Sequence, residues 1–177
     1  IPSKVNSFLR DGSRPVVVIT AGTAVAERPI WVDRMVDFSV NRGARVVVIE
    51  PATHPGRNDN FVCRIPFVPF EALLSRVQLI IHHAGIGTIA EAMRAELPQL
   101  LVPMAHDQVD NAARLQRIGL GCKIDPTTNL AATEAAWHWA FNPNTKKALK
   151  EAKQKLMADG DGATRIVEII LADLNNE

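Results

Sequence analysis

Short apolar runs alternate with amphipathic stretches along the chain. PVVVIT (15–20) is β-branched and uninterrupted, which predicts a strand buried on both faces of a parallel sheet. Pro29 then opens PIWVDRMVDFSVN, where Ile30, Val32, Met35, Val36 and Phe38 recur at helical spacing and Gly43 marks the end. Further strands are predicted at 44–50, 60–65 and 77–83, with a short helix at 70–76 between the last two. A helix from Thr88 to Glu96 stops before Pro98, a fifth strand follows at 99–104, and a helix at 110–121 ends on Gly119 and Gly121. A short sixth strand is predicted at 122–125. The remainder reads as helix over 131–141, 143–158 and 163–174, with DGDGA (159–163) as a turn.

This alternation implies right-handed βαβ units. The expected fold class is α/β: a Rossmann-like three-layer domain over residues 1–177 with a parallel sheet of about six strands. Ligands of such sheets bind beyond the carboxyl ends of the strands, where strand order reverses. The loops TAGTAVAER, EPATHPGRND, HHAGIGT and PMAHDQVDN therefore hold the candidate chemistry.

Bulk properties narrow the classes. A chain of 177 residues that is 47% apolar can bury a sizeable core as one domain, or one with an extension. A net charge of +1 implies no nucleic-acid partner and no strong attraction to an anionic surface. Cys63 and Cys122 are far apart in apolar contexts and read as reduced core residues of a cytoplasmic protein. No apolar run approaches the roughly 20 residues that cross a membrane, and no signal peptide is visible. The chain opens with Ile-Pro rather than Met, which suggests a fragment or a processed product.

HHAGIGTIAEA (82–92) carries the most chemistry. Its glycines permit a tight turn and close approach of a ligand. A helix starting there exposes unpaired N–H groups and about half a positive charge, which suits phosphate. The spacing is not the dinucleotide fingerprint, and a plain tight turn explains the glycines equally well. Glu91 can reach a sugar hydroxyl pair while the helix end holds phosphate, or it can serve only as an acid favourable to the helix dipole. His83 can donate to a phosphate oxygen. His82 points to the opposite face, and either ring can also be a satisfied core histidine. Asp107 and Gln108 follow the fifth strand at the same edge and suit sugar hydroxyls. A helix cap is the competing role there; Asp110 reads as that cap, leaving Asp107 and Gln108 without an evident structural task.

Together these residues resemble the nucleotide-sugar-binding signature of the UDP-glycosyltransferase superfamily, in the series His83, Gly85, Thr88, Glu91, Pro98, Pro103, Asp107, Gln108. The double histidine and the DQVDNA stretch look most like the bacterial and sterol branch, which often lacks the glutamate kept here. The resemblance is specific over about 45 residues and consistent in layout over nearly all 177. It implies one half of a GT-B fold, the C-terminal donor domain, with an N-terminal acceptor domain absent from the chain. By that resemblance Thr23, His83, Gly85, Gly87 and Thr88 hold the diphosphate and Glu91 the ribose. Phe67 and Val68 of FVPF hold the base, and Asp107 and Gln108 the donor sugar. Related enzymes often have Trp at the place of Phe67 and Gln at that of Phe70. Phe67 can still stack on a base.

The resemblance implies sugar transfer with inversion from a UDP- or TDP-sugar to an acceptor hydroxyl. The general base belongs to an N-terminal domain supplied in cis or in trans, so the chain alone is expected to transfer little. No Asp-x-Asp metal motif is evident in the candidate loops, so neither a metal nor a cofactor is expected. A cytoplasmic location follows, with peripheral membrane association left to the other domain. The rival readings are a free-standing donor subunit, a non-catalytic nucleotide-sugar-binding module and, less well matched, a sugar epimerase of the same architecture.

Overall fold

Valine and isoleucine dominate the strands because every strand near the middle of the sheet is covered on both faces. A computed structural model describes residues 1–10, 12–22, 27–54, 56–158, 164, 166–168, 171 and 172. Six parallel strands form one sheet: β1 (Val16–Thr20), β2 (Arg45–Ile49), β3 (Val62–Ile65), β4 (Leu79–His82), β5 (Gln99–Leu101) and β6 (Cys122–Lys123). Their order is β3-β2-β1-β4-β5-β6, so the order reverses between β1 and β4. The register pairs Thr20 with His82, which brings the loops after those two strands side by side.

The two faces of the sheet carry separate cores. On one, Val17, Ile19, Val46, Val48, Leu79 and Ile81 pack against Trp31, Val32, Met35 and Val36 of α2 (Ile30–Asn41) and against Ala136, Trp137 and Ala140 of α6 (Leu130–Ala140). On the other, Val16, Val18, Val47, Cys63 and Ile80 meet Val5 and Phe8 of α1 (Ser3–Arg10) and Leu73 and Leu74 of α3 (Phe70–Leu74). A smaller cluster joins Ala84 and Ile89 of the β4 loop and α4 (Ile86–Arg94) to Ala112 and Leu115 of α5 (Gln108–Arg117) and Leu149 of α7 (Pro143–Ala158). The three layers expected from the alternation are therefore present.

Several boundaries differ from the sequence-based expectation. Helix α1 has no counterpart in it; its eight residues bury only Val5 and Phe8, one apolar pair at i, i+3. Helix α4 begins at Ile86 rather than Thr88, because Ala84 turns the chain at φ 66° and Gly85 takes the N-cap place. Helix α5 begins at Gln108, two residues before Asp110. Strand β5 ends at Leu101, and His106 enters the left-handed region at φ 55° in the turn that follows. Residues 164, 166–168, 171 and 172 are helical, as expected within 163–174, and the DGDGA turn lies outside the described residues. Cys63 is buried, Cys122 is half-buried, and both are free. No helix among the described residues is long and apolar enough to cross a membrane.

Candidate functional site

Where β1 and β4 part company, the loops at 20–22 and 83–88 border a cleft of about 460 Å³, walled on its other side by Pro66, Phe67, Val68 and Phe70. Thr20, Gly22, His83, Gly85, Gly87, Thr88 and Gln108 also line it. Thr23, expected on the phosphate-facing loop, lies outside the described residues.

The two histidines that end β4 do different work. His82 is fully buried, as a strand residue on the inner face should be. Its Nδ1 accepts from the Ala84 N–H at 3.2 Å, so the ring proton resides on Nε2, which donates to Gln99 Oε1 at 3.0 Å. Burial pushes its pKa down to about 3 from an ordinary 6.5; the Gln99 bond opposes that and His83 adds to it. His82 is thus a neutral core residue that shapes the next turn.

His83 instead faces the cleft, half-buried between two glycines. A Cβ at Gly22 would stand 2.6 Å from its Cε1, and one at Gly85 would overlap its Nε2. Gly22 also requires glycine for its backbone, at φ 89°. Burial lowers the His83 pKa, while the Thr20 backbone and the charge of Asp107 act to raise it. The ring is therefore neutral at neutral pH and sits where an arriving anion would favour its protonated form.

Beside His83 stands the start of α4. Gly85 has no side chain with which to cap, and no side-chain hydrogen bond closes the helix end. The first N–H to find an intrahelical acceptor is that of Ile89, on Gly85 O at 3.0 Å, leaving the N–H groups of Ile86, Gly87 and Thr88 at the cleft. Gly87 lies in that first turn, and a Cβ there would meet nothing within 4 Å among the described residues. Glycine within a helix is about 0.5–1 kcal/mol worse than alanine, and the fold supplies no steric reason for it at this position.

The remaining candidates fall around this centre. Phe67 is 71% exposed at the rim, free to stack on a planar ring. Val68 borders the cleft, but its side chain packs in the core beneath. Glu91 does not line the same cleft. It sits in a neighbouring one of about 720 Å³ that shares Pro69 and Phe70 with the first, and it pairs with Arg94 at 2.8 Å. Asp107 is exposed, at the N-cap place of α5, without a side-chain capping bond.

The assignment of Asp110 as the cap of α5, with Asp107 and Gln108 left structurally idle, is corrected by the structure. Asp110 is in the first turn and pairs with Arg114 at 2.6 Å. Gln108 Oε1 accepts from the N–H groups of Met104 (2.9 Å) and Ala105 (3.2 Å), so it tightens the turn before the helix. Asp107 Oδ2 accepts from Asn111 Nδ2 at 2.8 Å. Asn111 has no assigned role in the sequence pattern, although it stands four residues after Asp107, one helical turn away.

A second group was legible only as isolated charges. Glu50 ends β2, buried, and receives Arg64 of β3 and Arg28 of the segment before α2. Both arginines also reach Asp33, at 2.8 Å from Arg64 and 2.9 Å from Arg28. His54 Nδ1 lies 3.6 Å from the other Glu50 oxygen. The network ties the return of the β1 loop to the β2 and β3 ends of the sheet. An arginine inside the buried strand VCRI is the sequence signal for it, since a buried charge requires a partner.

The burial of His82 has a measurable consequence. Its native pKa lies below the unfolded value, so its contribution to stability is complete above about pH 6.5 and is lost as pH falls toward 3. The slope from one such group is about 1.4 kcal/mol per pH unit. His82→Asn keeps an acceptor for the Ala84 N–H and removes the titration. Urea unfolding is expected to show a shallower loss of stability for this variant than for the wild type between about pH 6.5 and 4.5. Parallel pH profiles would show that His82 is not the neutral core group described.

Known proteins of similar sequence and fold place the chain in a family. The family model of the erythromycin biosynthesis protein CIII-like C-terminal domain matches residues 43–171. O-mycaminosyltylonolide 6-deoxyallosyltransferase from Streptomyces fradiae is 33% identical over 72% of the chain, which covers 30% of that protein. The crystal structure of the glycotransferase of kitacinnamycin superposes with a TM-score of 0.79 at 23% identity, over 91% of this chain and 43% of that one. Glycosyltransferase VinC, solved in complex with DTDP, superposes at 0.66 with 27% identity over 83% of this chain and 39% of its own. The chain thus spans less than half the length of these proteins. It belongs to the erythromycin biosynthesis protein CIII-like C-terminal domain family, with the Rossmann-like fold of GT-B glycosyltransferases.

Proposed function

We propose that this chain is the donor-binding domain of a metal-independent, inverting glycosyltransferase that moves a sugar from a UDP- or TDP-sugar to an acceptor hydroxyl. The observation that carries the reading is Gly87. It is a helical glycine with open space where its side chain would be, beside an uncapped helix start and the His83 ring. Such a glycine serves a ligand rather than the fold. The N–H groups there and the His83 ring supply what a diphosphate needs, a fixed set of donors with no charge of their own to neutralise first. Phe67 offers a face to the base, Glu91 a carboxylate to the ribose, and Asp107 with Gln108 polar groups to the sugar.

In the proposed reaction an acceptor oxygen attacks the anomeric carbon from the side opposite the leaving group. The carbon–oxygen bond to the nucleoside diphosphate breaks with its electron pair. The acceptor's proton passes to a base on an N-terminal acceptor domain, supplied in cis or in trans. This chain's part is to hold the donor and to stabilise the charge growing on the leaving diphosphate.

Calorimetry with UDP and TDP in the presence of EDTA tests the reading; binding that requires magnesium, or no binding of either, would overturn it. Glu91→Ala is expected to weaken UDP by about 1–3 kcal/mol, the loss for a hydrogen bond to a charged group. Pyrophosphate, which has no ribose, should bind this variant nearly as it binds the wild type. Equal losses for the two ligands would remove Glu91 from the ribose site and leave it as the partner of Arg94.

A further inference from the structure

The turn between His82 and α4 is held by its central peptide. Ala84 is fully buried and left-handed at φ 66°, a conformation that costs free energy for any residue with a Cβ. Both polar groups of that residue are bonded. Its N–H donates to His82 Nδ1 at 3.2 Å, and its carbonyl accepts from Asn111 Nδ2 at 3.1 Å. The same Asn111 nitrogen donates to Asp107 Oδ2 at 2.8 Å. An amide nitrogen has two hydrogens, so this one group serves both acceptors fully. One bond fixes the turn that sets Gly85 and the α4 N-terminus, and the other fixes one oxygen of Asp107 and leaves the second free to turn outward.

We propose that Asn111 is a positioning residue that locks the phosphate-binding turn and the Asp107 carboxylate into one frame, so that the diphosphate and donor-sugar subsites are set together. The inference rests on the proposed donor-binding function. A bland role, in which Asn111 merely stabilises α5, predicts no effect on a ligand that never reaches Asp107. The proposed role predicts that even bare UDP binding depends on Asn111, through Ala84.

Asn111→Ala and Asn111→Asp, in the 1–177 chain, separate these. Asn111→Ala is expected to weaken UDP about tenfold, the loss of one well-placed hydrogen bond in the supporting structure. Asp107→Ala should weaken a UDP-sugar more than it weakens bare UDP. Asn111→Asp keeps the shape but puts an acceptor against the Ala84 carbonyl and the Asp107 carboxylate. At pH 8 it should bind UDP as poorly as Asn111→Ala. As pH falls toward 5 the two adjacent carboxyls share a proton, since like charges at this distance raise the pKa of the pair. That proton lies between the two carboxyls, so the Ala84 carbonyl stays without a donor and UDP binding should remain weak at both pH values.

Other titrating groups flank Ala84 and Asn111 along the chain. His83 feels the charge of Asp107; the buried His82 ends β4, His106 precedes α5, and Asp110 pairs with Arg114 on α5. All are present in the wild type, so the ratio of variant to wild-type affinity at each pH isolates the new carboxyl. Wild-type UDP affinity in Asn111→Ala, or in Asn111→Asp at either pH, overturns the proposal. A wild-type chain that binds neither UDP nor TDP overturns instead the donor-binding reading on which it rests.

Discussion

Arg64→Met is expected to lower the free energy of unfolding by about 3 kcal/mol, the low end of the range for breaking a buried ion pair by removing one partner. The side chains of Arg64 and Glu50 are each 8% exposed and directly paired. Removing the guanidinium leaves Glu50 in a site closed to water. Arg28 at 3.2 Å remains and offsets part of the loss, which places the effect at the lower bound. Arg64 Nε also donates to the Arg57 carbonyl at 3.0 Å, and its guanidinium is so close to Gly56 that a Cβ there would stand 2.6 Å from Nε. Urea unfolding at neutral pH measures the cost. The double variant Glu50→Leu with Arg64→Met removes both charges and should lose clearly less than the sum of the single losses. A single Arg64→Met loss within about 0.5 kcal/mol of zero, the range of an ordinary surface change, would mean the network contributes nothing.

Gly87→Ala should have the opposite profile, with a stable fold and a poor site. The new methyl meets no atom of the described residues within 4 Å, and alanine suits a helix better than glycine by about 0.5–1 kcal/mol. The melting temperature should hold or rise. The methyl enters the space proposed for the diphosphate, where overpacking costs about 1–3 kcal/mol, so UDP and TDP should bind about 10- to 100-fold more weakly. Gly85→Ala provides the contrast, because its methyl would strike His83 itself and disturb the site and the fold together. Unchanged affinity in Gly87→Ala would place the ligand elsewhere.

What the sequence allowed to be read, and what it withheld, follows from where the information resides. The strands were legible because burial on both faces leaves an apolar run with no polar interruption, as in Val16–Thr20 and Leu79–His82. Helix ends were less legible, because they depend on backbone geometry. The α4 start reads as Thr88 in the sequence, whereas the left-handed Ala84 fixes it at Ile86. The α5 start was placed by a capping rule for Asp110, whereas Gln108 closes the preceding turn with a side chain that rule does not consider.

The site divides in the same way. His83, Gly85, Gly87, Thr88, Phe67, Val68 and Gln108 line one cleft. Glu91 stands in the adjoining cleft, beyond Phe70, with its carboxylate on Arg94. Asn111 and the partners of Arg64 went unassigned because each acts on residues distant in sequence. Asn111 reaches Ala84, 27 positions back, and Arg64 reaches Asp33 across 31. No periodicity within a short window encodes such pairs.

The strand order has a consequence for how the domain comes into being. β1 lies between β2 and β4, and Val16 donates to Gln78, 62 residues further along, at 2.7 Å. At synthesis rates of 5–20 residues per second, roughly 3 to 12 s separate the emergence of these partners. Throughout that interval VVVIT has one bare edge, β-branched and uncharged, the kind of segment that pairs with other chains. Closing the sheet also requires long loops, which makes parallel folds slow. The strand that leads into the cleft at Thr20 is therefore the one most open to pairing with other chains until β4 arrives.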